Sequence, residues 1–136
     1  STLKLGTIAT QDGTESTEVT NVVNGSAKAW VNFDGTQAAA SMIRASFNVS
    51  SITDNGTGDY TVNFATALVD ANYQISMSSV GYSNTNNSIH AYVKGNASTS
   101  TAPFLKSTSQ LRVVYGNDGG ASTLYDCAEM NVAVLR

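Results

Sequence analysis

The feature that most constrains this chain is an alternation of apolar and polar residues that returns in short runs, each too brief for a helix. Ala27-Lys28-Ala29-Trp30-Val31-Asn32-Phe33 places Ala29, Val31 and Phe33 on one side. Ile43-Arg44-Ala45-Ser46-Phe47-Asn48-Val49 repeats the pattern and predicts Ile43, Ala45, Phe47 and Val49 facing inward. Tyr60-Thr61-Val62-Asn63-Phe64 does so again. A period of two belongs to a strand with one buried face. With further candidates at 73–82, 88–94, 110–115 and 127–135, seven such runs are separated by polar turns. Phe47 and Phe64 are expected to fill the space between two sheets, so that truncating either would cost about 3–5 kcal/mol.

The turns carry their own chemistry. Asp54-Asn55-Gly56-Thr57-Gly58-Asp59 lies between two alternating runs, and Asn-Gly takes up the positive φ of a tight hairpin without strain. Asn117-Asp118-Gly119-Gly120 plays the same part before the last run, and 83–87 and 96–102 are polar loops. A single helical turn is expected within 65–72. Ser, Thr and Asn make up a third of the residues, while charged residues reach only 12%. Ala-Leu-Glu-Lys helix stretches are scarce. The implied fold class is all-β, an antiparallel β-sandwich, jelly-roll-like or immunoglobulin-like, over residues 27–136. Residues 1–26 read as an extended N-terminal arm or an edge strand, with one short strand through Leu3, Leu5 and Ile8.

Charge and cysteine content narrow the function. Seven Lys and Arg against ten Asp and Glu leave no basic footprint for nucleic acid or anionic lipid. No apolar stretch approaches the roughly 20 residues of a membrane helix, so no membrane insertion is expected. Nor does the start resemble a secretion signal. Five Asn-x-Ser/Thr triplets, at Asn24, Asn48, Asn55, Asn86 and Asn96, are therefore expected to stay unmodified. Cys127, the one cysteine, reads as a packed thiol.

Catalytic signatures are weak. His90 is the only imidazole, no Gly-x-Ser-x-Gly elbow occurs, and pairing His90 with Cys127 would allow a thiol nucleophile although neither lies in a recognisable signature. Any two of Asp34, Asp54, Asp59, Asp70, Asp118 and Asp126 would have to approach to act as a glycosidase pair, and nothing in the spacing selects two of them. The loop from Asp54 to Asp59 does not have EF-hand spacing and reads better as a hairpin than as a calcium site. No cofactor is expected. Aromatic residues near amides are the better hint. Tyr82 and Tyr92 flank the Asn-rich loop that holds Asn84 and Asn86, and His90 shares the strand face of Tyr92. Aromatic faces beside amides suit sugar rings, so Tyr82, Asn84, Asn86, His90 and Tyr92 are the candidate contact residues. The competing reading packs both tyrosines in the core or at a subunit interface.

The stretch from Ala27 to Phe33, followed by Ile43 through Asp54-Asn55-Gly56-Thr57-Gly58-Asp59 to Phe64, resembles a module of tailed-bacteriophage virion proteins. It is found notably in tail fibres of phages that infect marine and freshwater bacteria, including cyanobacteria. The likeness continues through Ala71-Asn72-Tyr73, and Leu3-Lys4-Leu5-Gly6-Thr7-Ile8 is similar to a leader that often precedes the module. It covers about half the chain, departs from the module at Val69, where Pro is common, and names nothing after Tyr82. The resemblance implies a structural or receptor-binding virion component, a homotrimer, located in the virion after assembly in the host cytoplasm. It implies attachment to other virion proteins through the N-terminal arm and contact with a host-surface glycan or protein. It carries no catalytic residues. The chain reads as complete, with Ser1 left by removal of an initiator Met, and is short for a whole fibre. A capsid decoration protein that stabilises the head is accordingly the alternative role, and a carbohydrate-active enzyme the third.

Overall fold

A computed structural model describes residues 1–80, 89–95, 105–117 and 123–136. Eight of its strands form two four-stranded antiparallel sheets: β3 (Ala27–Phe33), β4 (Ile43–Phe47), β5 (Val49–Asp54), β6 (Asp59–Phe64), β7 (Gln74–Val80), β8 (Ile89–Val93), β9 (Gln110–Asn117) and β10 (Glu129–Leu135). The first sheet runs β4-β3-β10-β7 and the second β5-β6-β9-β8. The sheets stack as a sandwich. Between them lie Ala29, Val31 and Phe33 of β3 and Met130, Val132 and Val134 of β10. Facing them are Tyr60, Val62 and Phe64 of β6 with Leu111, Val113 and Tyr115 of β9. The alternation read in β3 and β6 thus points where it was expected to.

Two edge-to-face ring pairs anchor the core. Phe33 meets Tyr60 across the layers at 5.2 Å between centroids, and Phe64 meets Tyr73 at 6.1 Å. Such pairs add about 1 kcal/mol each beyond the area they bury. The buried Tyr60 hydroxyl lies 3.2 Å from the Gly35 carbonyl and 3.1 Å from an Asp126 carboxylate oxygen, so its polar end is satisfied.

The run from Ile43 to Val49 is not one strand. Phe33 pairs with Ile43 but Asn32 pairs with Ala45, so Arg44 is an extra residue, a β-bulge that reverses the parity of the residues after it. Ala45 and Phe47 therefore face outward, and Phe47 is 54% exposed rather than a core residue. At Asn48 the backbone enters the left-handed region at φ 54°, and the chain crosses to the other sheet as β5. The Asn48 side chain holds this corner. Its amide nitrogen donates to the carbonyls of Lys28 (3.0 Å) and Thr66 (3.1 Å), and its oxygen accepts the Thr66 amide (2.7 Å). Inward facing resumes at Val49, which packs against the core as expected, and continues with the buried Ile52.

The expected helical turn within 65–72 does not form. Leu68 is buried and its amide donates to the Thr108 carbonyl at 2.8 Å, which draws the segment out along the end of the sheet. The hairpin after β5 forms as expected. It is closed by the Asn55 amide, which donates to the Asp59 carbonyl at 2.9 Å, and Gly58 stands at φ 64°. A Cβ on Gly58 would lie 2.5 Å from the Tyr125 carbonyl oxygen, so both its conformation and its neighbours require glycine.

Residues 1–26 stay outside both sheets. The strand expected through Leu3 and Leu5 is confined to β1 (Thr7–Ala9), which pairs with β2 (Ser16–Glu18) in a hairpin of its own, and the short helix α1 (Val19–Gly25) comes next. Neither strand joins a larger sheet, and α1 buries no residue.

Candidate functional site

Of the five contact residues expected from sequence, Tyr82, Asn84 and Asn86 lie outside the described residues, and His90 and Tyr92 fall on β8. Ile89, Ala91 and Val93 of that strand pack against the core, so His90 and Tyr92 stand on the outer face of the β5-β6-β9-β8 sheet. Their rings are neighbours, 5.5 Å between centroids with a tilt of 48°.

Beside them the same face carries a cluster that the sequence did not reveal. Asp59 on β6 accepts a fork from Arg112 on β9, Nε to Oδ1 at 2.7 Å and a terminal nitrogen to Oδ2 at 3.0 Å. Lys94, just past β8, donates to the same carboxylate at 2.7 Å. Burial works against charge on Asp59, but the hydrogen bonds from Arg112 and Lys94 and their positive charge outweigh it, holding its carboxyl below the usual carboxylate range. Further along, Asn55 donates to Thr61 (2.9 Å), and Asn63 donates to Thr53 (2.9 Å) and Ser51 (3.1 Å). The face is thus a rigid, mutually bonded polar layer with His90 and Tyr92 at its margin.

His90 and Cys127 are not brought together. The Cys127 thiol is buried, donating to the Glu129 carbonyl at 2.8 Å, and burial pushes its pKa up, the reverse of an activated nucleophile. Of the aspartates weighed from the sequence, Asp118 lies outside the described residues, and the others each serve a local purpose. Asp34 binds Arg44, Asp70 binds Arg136, Asp54 accepts the Gly56 amide, and Asp126 accepts the Gly58 amide and faces the Tyr60 hydroxyl. Among the described residues no group of three or more His, Cys, Asp or Glu is arranged to hold a metal ion.

The opposite face of the sandwich presents chemistry that alternation alone does not announce. Across the β4-β3-β10-β7 sheet, one outward row reads Phe47, Trp30, Ala133, Ser76, and the next reads Ala45, Asn32, Asn131, Ser78. Trp30 is 40% exposed, and Phe47 stands opposite it in the strand register on the outer sheet surface. Beside the indole, Ala133 floors a shallow groove of about 210 Å³, flanked by Ser76, Ser78 and Asn131. Asn32 donates to Asn131 at 2.6 Å, which fixes both amides. Both rows are uncharged; charge begins at the end of the sheet, where Arg44 bridges Asp34 (2.8 Å) and Glu129 (3.2 Å). Trp30 could have been found by parity, because Ala29 and Val31 face inward. Phe47 could not, because the bulge at Arg44 reverses it. Chemically the face offers an apolar platform beside hydroxyl and amide groups, the pairing a pyranose ring or a polar protein surface can use.

No protein-family model, curated protein or solved structure matches the chain.

Proposed function

We propose that this chain is a structural protein of a tailed-bacteriophage virion, a tail-fibre or receptor-binding module that meets the host surface. In this reading residues 1–26 attach it to other virion proteins, it works as a homotrimer, and it is assembled in the host cytoplasm. The observation that carries the reading is the placement of its exposed chemistry on flat sheet faces. Trp30 and Phe47 on one side, and His90 and Tyr92 on the other, stand where they can touch a surface but do not enclose a reacting group. The resemblance in residues 27–73 supports the same role. Its glycine turn and its inward residues in β3 and β6 are the ones that build the scaffold beneath these faces.

Trp30 and Phe47 join His90 and Tyr92 as proposed contact residues for a host-surface glycan or protein. The test is antibody labelling of intact phage particles by electron microscopy, combined with attachment of the purified protein to host cells. Label on the tail, and attachment lost in Trp30→Ala/Phe47→Ala while folding is retained, supports the proposal. Label spread over the head replaces it with capsid decoration, and no label on particles removes both.

A further inference from the structure

Two unsatisfied features of this molecule match each other. The first is the edge of the β4-β3-β10-β7 sheet formed by β7. An exposed edge strand invites pairing, and proteins usually guard it with charge, proline or a bulge. β7 reads Gln-Ile-Ser-Met-Ser-Ser-Val, with none of these, and its register with β10 runs unbroken from Gln74 to Val80. The Gln74 side-chain amide donates to the Ile75 carbonyl at 2.9 Å, occupying a backbone group that a neighbouring strand would otherwise bond. By the alternation of an antiparallel ladder, the backbone groups of Met77 and Ser79 point the same way. They have no backbone partner outside the sheet among the described residues. Side chains at these positions face the core yet remain only half-buried, as do Ile89, Ala91 and Val93 on β8, which borders the same side of the sandwich.

The second feature is the start of the chain. Leu3 is 81% and Leu5 53% exposed, two residues apart, with Lys4 between them. Residues 1–5 form no helix or strand, whereas the Gly6 carbonyl is fastened to the start of α1 by the Val19 amide (2.9 Å). Among the described residues neither leucine packs against the core. Spaced at the strand period, they can face one side while Lys4 faces the other.

We propose that residues 1–5 of one copy add as a strand to the β7 edge of a second copy, with Leu3 and Leu5 turned inward beside Ile75 and Met77. Main-chain bonds to Ile75, Met77 and Ser79 supply the attachment, and the alternation of the leucines sets the register. Lys4 then lies on the outer side of the added strand, in water. The contact is heterologous, arm to edge, so it generates a closed ring of copies or an open chain. The proposal needs only the edge and the arm; a monomeric chain would also remove the homotrimer of the proposed function, whereas host attachment is tested separately by cell binding.

The test compares the full chain with Leu3→Asp/Leu5→Asp, whose substitutions lie at exposed positions outside every helix and strand and leave the fold intact. Native mass spectrometry and sedimentation at about 100 μM give assembly state, and hydrogen exchange gives the β7 amides. The expected result is that the parent chain assembles beyond its 14.2 kDa monomer and the variant does not. Amides of Met77 and Ser79 should then exchange at least about 100-fold faster in the variant. A monomeric parent overturns the proposal, and so does a variant that still assembles. Loss of assembly with no change at Met77 and Ser79 overturns it too, because the arm would then dock elsewhere.

Discussion

Asn48 is where the chain turns from one sheet into the other, and its replacement separates two contributions that usually travel together. The backbone sits at φ 54°, a conformation that Asn tolerates and that costs an alanine about 1 kcal/mol more. The side chain makes three hydrogen bonds, to the Lys28 carbonyl, the Thr66 carbonyl and the Thr66 amide. Each is worth about 1 kcal/mol net, but water recovers part of this at a half-buried site, leaving about 2 kcal/mol for the set. Asn48→Ala loses both contributions, about 3 kcal/mol in all. Asn48→Gly keeps the permitted backbone and loses only the bonds, about 2 kcal/mol.

Urea unfolding of the parent and both variants, with a common slope, measures these differences. Thermal melts should show drops of roughly 3–4 °C per kcal/mol for a domain of this size. The order Ala worse than Gly is the decisive outcome. Equal losses for the two would mean that the left-handed backbone carries no energy, and an alanine variant within about 1 kcal/mol of the parent would mean that the corner is not held as described.

Three further outcomes rest on the same geometry. Phe64→Ala should cost about 3–5 kcal/mol and Phe47→Ala less than about 1 kcal/mol, and paired urea titrations reporting equal losses would return Phe47 to the core. Asp59→Asn should lower stability at pH 7 by about 2 kcal/mol, less than a fully buried ion pair because Lys94 and Arg112 keep contact with water. The folded pKa of Asp59 lies below its unfolded value, so this contribution is complete above about pH 5 and is lost as pH falls through the folded value. The parent and Asp59→Asn should therefore converge in urea midpoint on acidification, and a gap that widens towards about pH 3 would reverse the sign. The Cys127 thiol, buried and shifted upward, should react with a disulfide reagent only as fast as the protein opens, with full reactivity in denaturant; rapid reaction of the native protein would place it at the surface.

How far the sequence could be read in advance depended on whether local parity survives into the fold. β3 from Ala29 to Phe33 and β6 from Tyr60 to Phe64 keep their alternation, so Ala29, Val31, Phe33, Tyr60, Val62 and Phe64 were legible as core. β4 misleads because one bulged residue, Arg44, shifts every later side chain to the other face, and a bulge has no composition of its own here. Strand β5 offers only Ile52 as a buried apolar residue beyond Val49, too little to announce a strand. The Asp59 cluster joins residues 35 and 53 positions apart, a proximity that arises from sheet order and not from spacing. On β8 the alternation held, and His90 and Tyr92 faced outward together as their positions implied.

The bulge at Arg44 and the left-handed corner at Asn48 are linked in their effect. A sandwich needs neither, since each removes regular pairing and the corner places a non-glycine residue at positive φ. Together they withdraw Phe47 from the interior and set it across from Trp30 on an outward row, while allowing Ile52 to resume the core on the other sheet. Arg44 itself is then free to reach Asp34 and Glu129, which ties down the β3 and β10 ends of that same sheet. The irregularity therefore places two aromatic residues on a rigid and uncharged surface, at a loss of ladder bonds that the Asn48 side chain partly replaces. Local departures of this kind are expected where a surface is shaped for contact, and this is the physical ground for including Trp30 and Phe47 among the proposed contact residues.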